Sequence, residues 1–150
     1  MLTQSLQQLF HRDLAKLKSE IELYNDESAI WIIDKGIANS AGNLCLHLVG
    51  NLQHFVGTIL GGSDYKRNRE AEFSLKDVPR TELVKQVEET IEVINTTLPK
   101  LTQEGMAAEF PIDVFGYKMS TEFFLIHLAM HLDYHLGQIN YHRRLLDKID

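Results

Sequence analysis

Cysteine is nearly absent from this sequence: the single Cys45 excludes an internal disulfide and fits a reducing compartment. Long apolar runs are missing as well, and none approaches the roughly 18 residues that a membrane-crossing helix needs. Basic excess is lacking too. With 15 Lys and Arg against 21 Asp and Glu, the net charge is −6, and no basic block offers a footprint for nucleic acid or an anionic membrane. The opening Met1-Leu-Thr-Gln-Ser has neither the basic start nor the apolar stretch of a signal peptide, so a cytoplasmic location is expected. Internal repeats and low-complexity tracts are also missing. What remains is 150 residues, 44% of them hydrophobic, which suits one domain over residues 1–150 with a substantial core. Histidine is the residue that stands out, with seven in the chain and a crowd of them between His127 and His142.

Four long helical segments can be read from the apolar spacing. Leu2, Leu6, Leu9, Phe10, Leu14, Leu17, Ile21 and Tyr24 recur at the three-and-four interval of one helical face, giving a first helix from about Thr3 to Tyr24. Asn25 to Ser28 ends it, and Ala29–Lys35 is an irregular packed connection broken at Gly36. A second helix is predicted from Asn39 or Ser40, both good N-caps, to Leu60, where Gly61-Gly62 stops it. Residues 63–78 form a polar loop containing Arg67-Asn-Arg-Glu-Ala-Glu-Phe73. The third helix starts near Pro79, carries Leu83, Val84, Val87, Ile91 and Ile94, and ends before Pro99. Residues 99–119 are irregular, with a short extended piece and a turn at Gly116. The fourth helix runs from Ser120 to about Leu146 and is apolar on nearly every side, as in a helix at a bundle's centre. The fold class is therefore all-α, a four-helix bundle.

Helical geometry turns the histidine spacing into an argument. At about 100° per residue, with His127 at zero, His131 lies near 40°, His135 near 80° and His142 near 60°. Gln138 and Tyr134 fall at about 20° to either side of zero, so one stripe of an apolar helix is polar. The second helix repeats this, with Asn43 and Asn51 about 40° and His54 about 20° from His47. Buried polar groups are costly unless they meet each other, water or an ion. An ion held between the two seams satisfies both. His131 and His135 stand side by side at i and i+4, a common arrangement for one ion, and His47 is the best-placed third donor. Three imidazoles leave a coordination position open, as catalytic sites do. Zn, Ni, Fe and Cu all suit such donors. His127 competes, because His127–His131 has the same spacing. His54 and His142 read as hydrogen-bonded groups at the ends of the seams, His11 as a solvated rim residue, and Cys45 as a small core residue. Gly137, just after the ligand pair, reads as a point of close approach for another helix or a substrate.

Two familiar motifs do not apply. Leu128 and Leu132 occupy the place of the zinc-protease Glu, and Asp133 points away from the stripe, which leaves a dinuclear carboxylate site without its acids.

Asn43–Asn51 (NLCLHLVGN), the RNREAEF segment and His131–Leu146 (HLDYHLGQINYHRRLL) together resemble the DinB-like superfamily, and more closely one of its uncharacterised branches. The most specific element is His-x-x-x-His-x-Gly-Gln, matched by His131, His135, Gly137 and Gln138. The resemblance covers nearly the whole chain. It implies a metal-binding four-helix bundle, often a homodimer, whose ligands are His47, His131 and His135 and do not include His127. It also implies, from other branches, a small-molecule thiol delivered to an electrophile. On this reading one divalent transition metal ion (Zn, Ni or Fe) activates a thiol or water, while Gln138, Tyr134 and Asn51 orient ligands or substrate. No general base accompanies the site, which suits a thiol transferase better than a hydrolase. The alternatives are a non-catalytic protein whose ion joins two helices, and a histidine-rich core with no metal.

Overall fold

A computed structural model describes residues 1–148. Among the described residues there are six α-helices and no β-strand, with one isolated antiparallel bridge between Glu109 and Ser120. Helix α1 spans Leu2–Glu22, α2 Ala41–Leu52, α3 Arg69–Ser74, α4 Arg80–Thr97, α5 Gln103–Ala107 and α6 Thr121–Leu146. None of them is long and apolar enough to cross a membrane.

Local chemistry explains most boundaries. Ser40, Asn68, Thr102 and Ser120 each accept a backbone N–H of the following turn and so start α2, α3, α5 and α6; a side-chain cap of this kind is worth about 1 kcal/mol. Beyond Leu52 the second helix continues as wider π-helical turns over Gln53–Leu60. Gly62, with φ +70, then turns the chain away, which is the stop expected at Gly61-Gly62. The connection after α1 is a 3-10 turn, Glu27–Trp31, capped by Asp26. The turn at Gly116 is present at φ +79, held by its N–H donating to Asp113 at 2.6 Å.

The structure corrects three expectations. The polar loop at 63–78 contains α3, and the irregular stretch at 99–119 contains α5; both helices are too short for periodicity to reveal. The most enclosed helix is α2, all twelve residues of which are buried. Helix α6 instead buries one face, through Phe124, Leu128, Leu132, Leu136 and Ile139. Its other face leaves Phe123, Met130, Tyr134, Tyr141 and Leu145 exposed. On that uncovered side a Cβ added to Gly137 would meet nothing within 4 Å. Of the two expected roles, close approach of a helix is not seen among the described residues.

Helix α1 packs on both α4 and α6. Leu6, Phe10, Leu14, Leu17 and Ile21 are buried, whereas Leu2 and Leu9 lie at the surface. Glu20 ties α1 to α6 by accepting from Arg143 and Asn140, each at 2.6 Å. His142 is buried between the same elements. Its Nδ1 accepts from the Tyr24 hydroxyl at 2.6 Å and its Nε2–H donates to the Ile32 carbonyl at 2.8 Å. One ring thus fastens α6 to α1 and to the segment leading into α2, as expected of a hydrogen-bonded residue at the end of the seam.

Burial holds His142 below its ordinary pKa, although the bond to Ile32 opposes this. The unfolded chain therefore takes up a proton near pH 6.5 that the folded chain refuses. Stability is complete above that pH and declines as pH falls from it towards the lower folded value. The urea midpoint of the metal-free protein should fall between pH 7 and pH 5. It should fall less steeply in His142→Gln; equal slopes would show that His142 does not carry this linkage.

Candidate metal centre

His47 lies midway along α2, and His131 and His135 lie one turn apart on α6, so the packing of these two helices brings the three rings together. One ring nitrogen from each of His47, His131 and His135 falls within 4.8 Å of the others. The Nε2 atoms of His47 and His131 face each other at 3.1 Å. His135 stands edge-on to both, with ring centroids 5.4 Å from His47 and 4.6 Å from His131.

Two of the three rings are oriented from behind. His47 Nδ1–H donates to Glu72 Oε1 at 3.0 Å, which leaves its Nε2 lone pair facing the cluster. His135 Nδ1–H donates to Gln138 Oε1 at 2.7 Å, again freeing Nε2. The Nδ1 of His131 is buried with no hydrogen-bond partner. Two lone pairs facing at 3.1 Å repel unless a proton or a shared cation lies between them. Nitrogens bonded to one ion at about 2.0–2.1 Å stand about 3 to 3.5 Å apart. The donor set therefore fits a divalent transition metal ion.

The electrostatics agree. Burial, reinforced by His135 and His47, pushes His131 down to about 3. Burial also lowers His135 against the opposing bond from Gln138. Both rings are thus neutral at pH 7, the form that ligates.

Glu72 is the functional residue that sequence reasoning missed. It sits on α3, inside the stretch read as loop, and is only 5% exposed. Burial pushes its carboxyl up, but hydrogen bonds from Arg67 and His47 outweigh this and hold it below the ordinary carboxylate range. Arg67 grips both carboxylate oxygens, each at 2.8 Å. Asn43 pins this segment to α2 by donating to the Glu72 and Leu75 carbonyls at 3.0 and 2.8 Å. Gly50, one turn after His47, leaves the space that the carboxylate fills: a Cβ there would collide with Glu72 Oε2. A polar loop facing a small residue on an apolar helix was the available signal. It also makes Glu72, rather than Asp133, the acid nearest the histidines, and its contacts place it behind His47 rather than among the converging nitrogens.

The other residues singled out by sequence are placed as follows. Gln138 holds His135. Tyr134 is 66% exposed, with its ring 5.2 Å from that of His135. Asn51 is buried, and its Oδ1 has no partner. His127 belongs to an aromatic group, its ring 4.9 Å from Phe115 and 5.9 Å from Phe124. His54 packs edge-on against Phe55 at 4.8 Å rather than sharing the hydrogen bonding of His142. His11 is exposed and Cys45 is fully buried.

Fold and site together define an all-helical protein with a three-histidine cluster suited to a metal ion. The chain belongs to the family described as Protein of unknown function (DUF1572), whose model matches residues 3–150. No curated protein matches it.

Because Glu72 fixes the tautomer of His47, its removal should weaken metal binding about 10–100-fold. Glu72→Ala should show this in a competition titration with a chelating dye. Gly50→Ala should act in the same direction by displacing the carboxylate. Unchanged affinity in both variants would exclude the orienting role.

Proposed function

We propose that the chain is a divalent-metal-binding, DinB-like four-helix bundle formed by α1, α2, α4 and α6, in which His47, His131 and His135 hold one Zn, Ni or Fe ion. The observation that carries this reading is the convergence of three imidazole nitrogens within 4.8 Å of one another. The aromatic surroundings of His127 support leaving it out of the ligand set.

The activity we propose is that of a metal-dependent enzyme acting on a small-molecule thiol or electrophile in the cytoplasm, thiol transferase-like before hydrolase-like. A bound divalent ion supplies a Lewis acid that lowers the pKa of a thiol or of water. Within the chain, Glu72 and Gln138 hold His47 and His135 in the ligating tautomer. Glu72 is an unsuitable general base, since Arg67 and His47 occupy its oxygens, and this favours thiol over hydrolytic chemistry. Asn51, through its unpaired Oδ1, and Tyr134, at the rim, are the groups proposed to orient a substrate. A cavity opening beside His135 supports an enzyme over a protein whose ion only joins two helices.

Metal stoichiometry at neutral pH tests the ligand set. His47→Ala, His131→Ala and His135→Ala should each lose most bound metal, while His127→Ala and His142→Ala keep it. Full occupancy in His47→Ala, or equal loss in His127→Ala and His135→Ala, would identify a different third ligand.

A homodimer is part of this proposal. It is supported by the exposed apolar groove where α1 meets the first half of α6, lined by Leu2, Leu9, Ile126 and Met130. Light scattering at micromolar concentration should give twice the chain mass, falling to the chain mass in the double variant Leu9→Lys, Met130→Lys. A monomer in the unaltered protein would end the proposal.

A further inference from the structure

A cavity of about 420 Å³ lies between the 34–39 segment and the second half of α6, and His135 and Gln138 form part of its wall. It therefore adjoins the histidine cluster and shares two of its residues. Its volume is at the lower end of the range for small-molecule sites.

The chemistry of the walls narrows the occupant. Ile37, Leu44, Tyr141 and Leu145 line it with apolar or aromatic surface. His142 also lines it, but both ring nitrogens are committed, to the Tyr24 hydroxyl and the Ile32 carbonyl. That ring presents only carbon edges to an occupant, so a polar group placed there would lose its water without a replacement. The end at His135 differs. Gln138 Oε1 accepts from His135, which uses one of its two lone pairs and leaves both amide N–H donors free for an occupant. A head group that accepts hydrogen bonds matches those donors, and an electron-rich head of that kind is also what a metal ion takes in its open position.

We propose that this cavity is the substrate-body site of the metal centre. Its ligand is a small molecule of roughly ten to twenty non-hydrogen atoms, with an aromatic or branched aliphatic body and an anionic, hydrogen-bond-accepting head directed at His135 and Gln138. The proposal rests on the metal-binding reading and adds the class of molecule. Asp34, Lys35 and Asn39 also border the cavity, but against Ile37, Leu44, Tyr141 and Leu145 a strongly hydrophilic body such as a sugar would lose water without a replacement.

Two probes with the same head separate body from head: acetohydroxamate and benzohydroxamate, titrated into the full chain loaded with cobalt(II) and followed by the visible absorption of the ion. Benzohydroxamate should bind at least about tenfold more tightly, the order expected from burying a phenyl ring. Ala38→Trp fills the cavity from the exposed 34–39 segment. It should bring the two affinities together by weakening benzohydroxamate alone, with cobalt stoichiometry unchanged. Equal affinities in the unaltered protein, or an undiminished ratio in Ala38→Trp, would overturn the proposal. Saturation-transfer NMR on the metal-free chain separates this from failure of the metal reading. If no cobalt binds but the benzohydroxamate ring receives saturation in the unaltered protein and not in Ala38→Trp, the apolar site stands and the metal reading falls. If the ring receives none, the site falls too.

Discussion

A carboxylate that is 5% exposed has to be matched by charge and hydrogen bonds, or the segment carrying it will not stay folded against the core. Breaking a buried ion pair by removing one partner costs about 3–5 kcal/mol. Glu72 meets the requirement with the Arg67 guanidinium on one side and the His47 imidazole on the other. The match fixes three things together: where α3 docks on α2, which nitrogen of His47 carries the proton, and which way its lone pair points. Gly50 and Asn43 serve the same contact, one by leaving space and the other by holding the backbone. The histidine cluster is thus built outward from an ion pair on the far side of His47.

The two helices that supply histidines solve different problems. Helix α2 is enclosed, and two of its polar side chains find partners across helices, Asn43 holding α3 and His47 meeting Glu72 and His131, while Asn51 Oδ1 is left without one. Helix α6 is half free. Its buried face carries the core leucines, its exposed face carries Tyr134, Tyr141 and Leu145, and the histidines run along the boundary between the two. That boundary lets one helix contribute both to a half-buried donor cluster and to an open cavity beside it. Neutral imidazoles suit this position, since burial keeps His131 and His135 unprotonated.

Much of this is legible from residue order, and particular elements show why. The four long helices follow from three-and-four spacing and from caps such as Ser40 and Ser120, which act within one or two turns. The His131–His135 pair follows from helical geometry alone, and His142 is readable as a hydrogen-bonded end of the seam. Helices α3 and α5 are not legible, because six and five residues are too few to establish a period. The enclosure of α2 and the free face of α6 are hidden as well, because apolar content does not say which neighbour arrives to cover it. Gly137 shows the same limit: its spacing did not say that a Cβ there would face open space rather than a neighbouring helix.

By itself, then, the sequence determined the helical class, the long helices and the stripe of donors on α6, since these depend on interactions between residues a few positions apart. Tertiary structure decided that His47 faces His131 across 84 positions of sequence, that Glu72 stands behind His47 across 25, and that a cavity opens at His135. Those contacts arise from how α2, α3 and α6 pack. Residue spacing constrains which groups can share a helical face, but only the packing of the helices brings separate faces together.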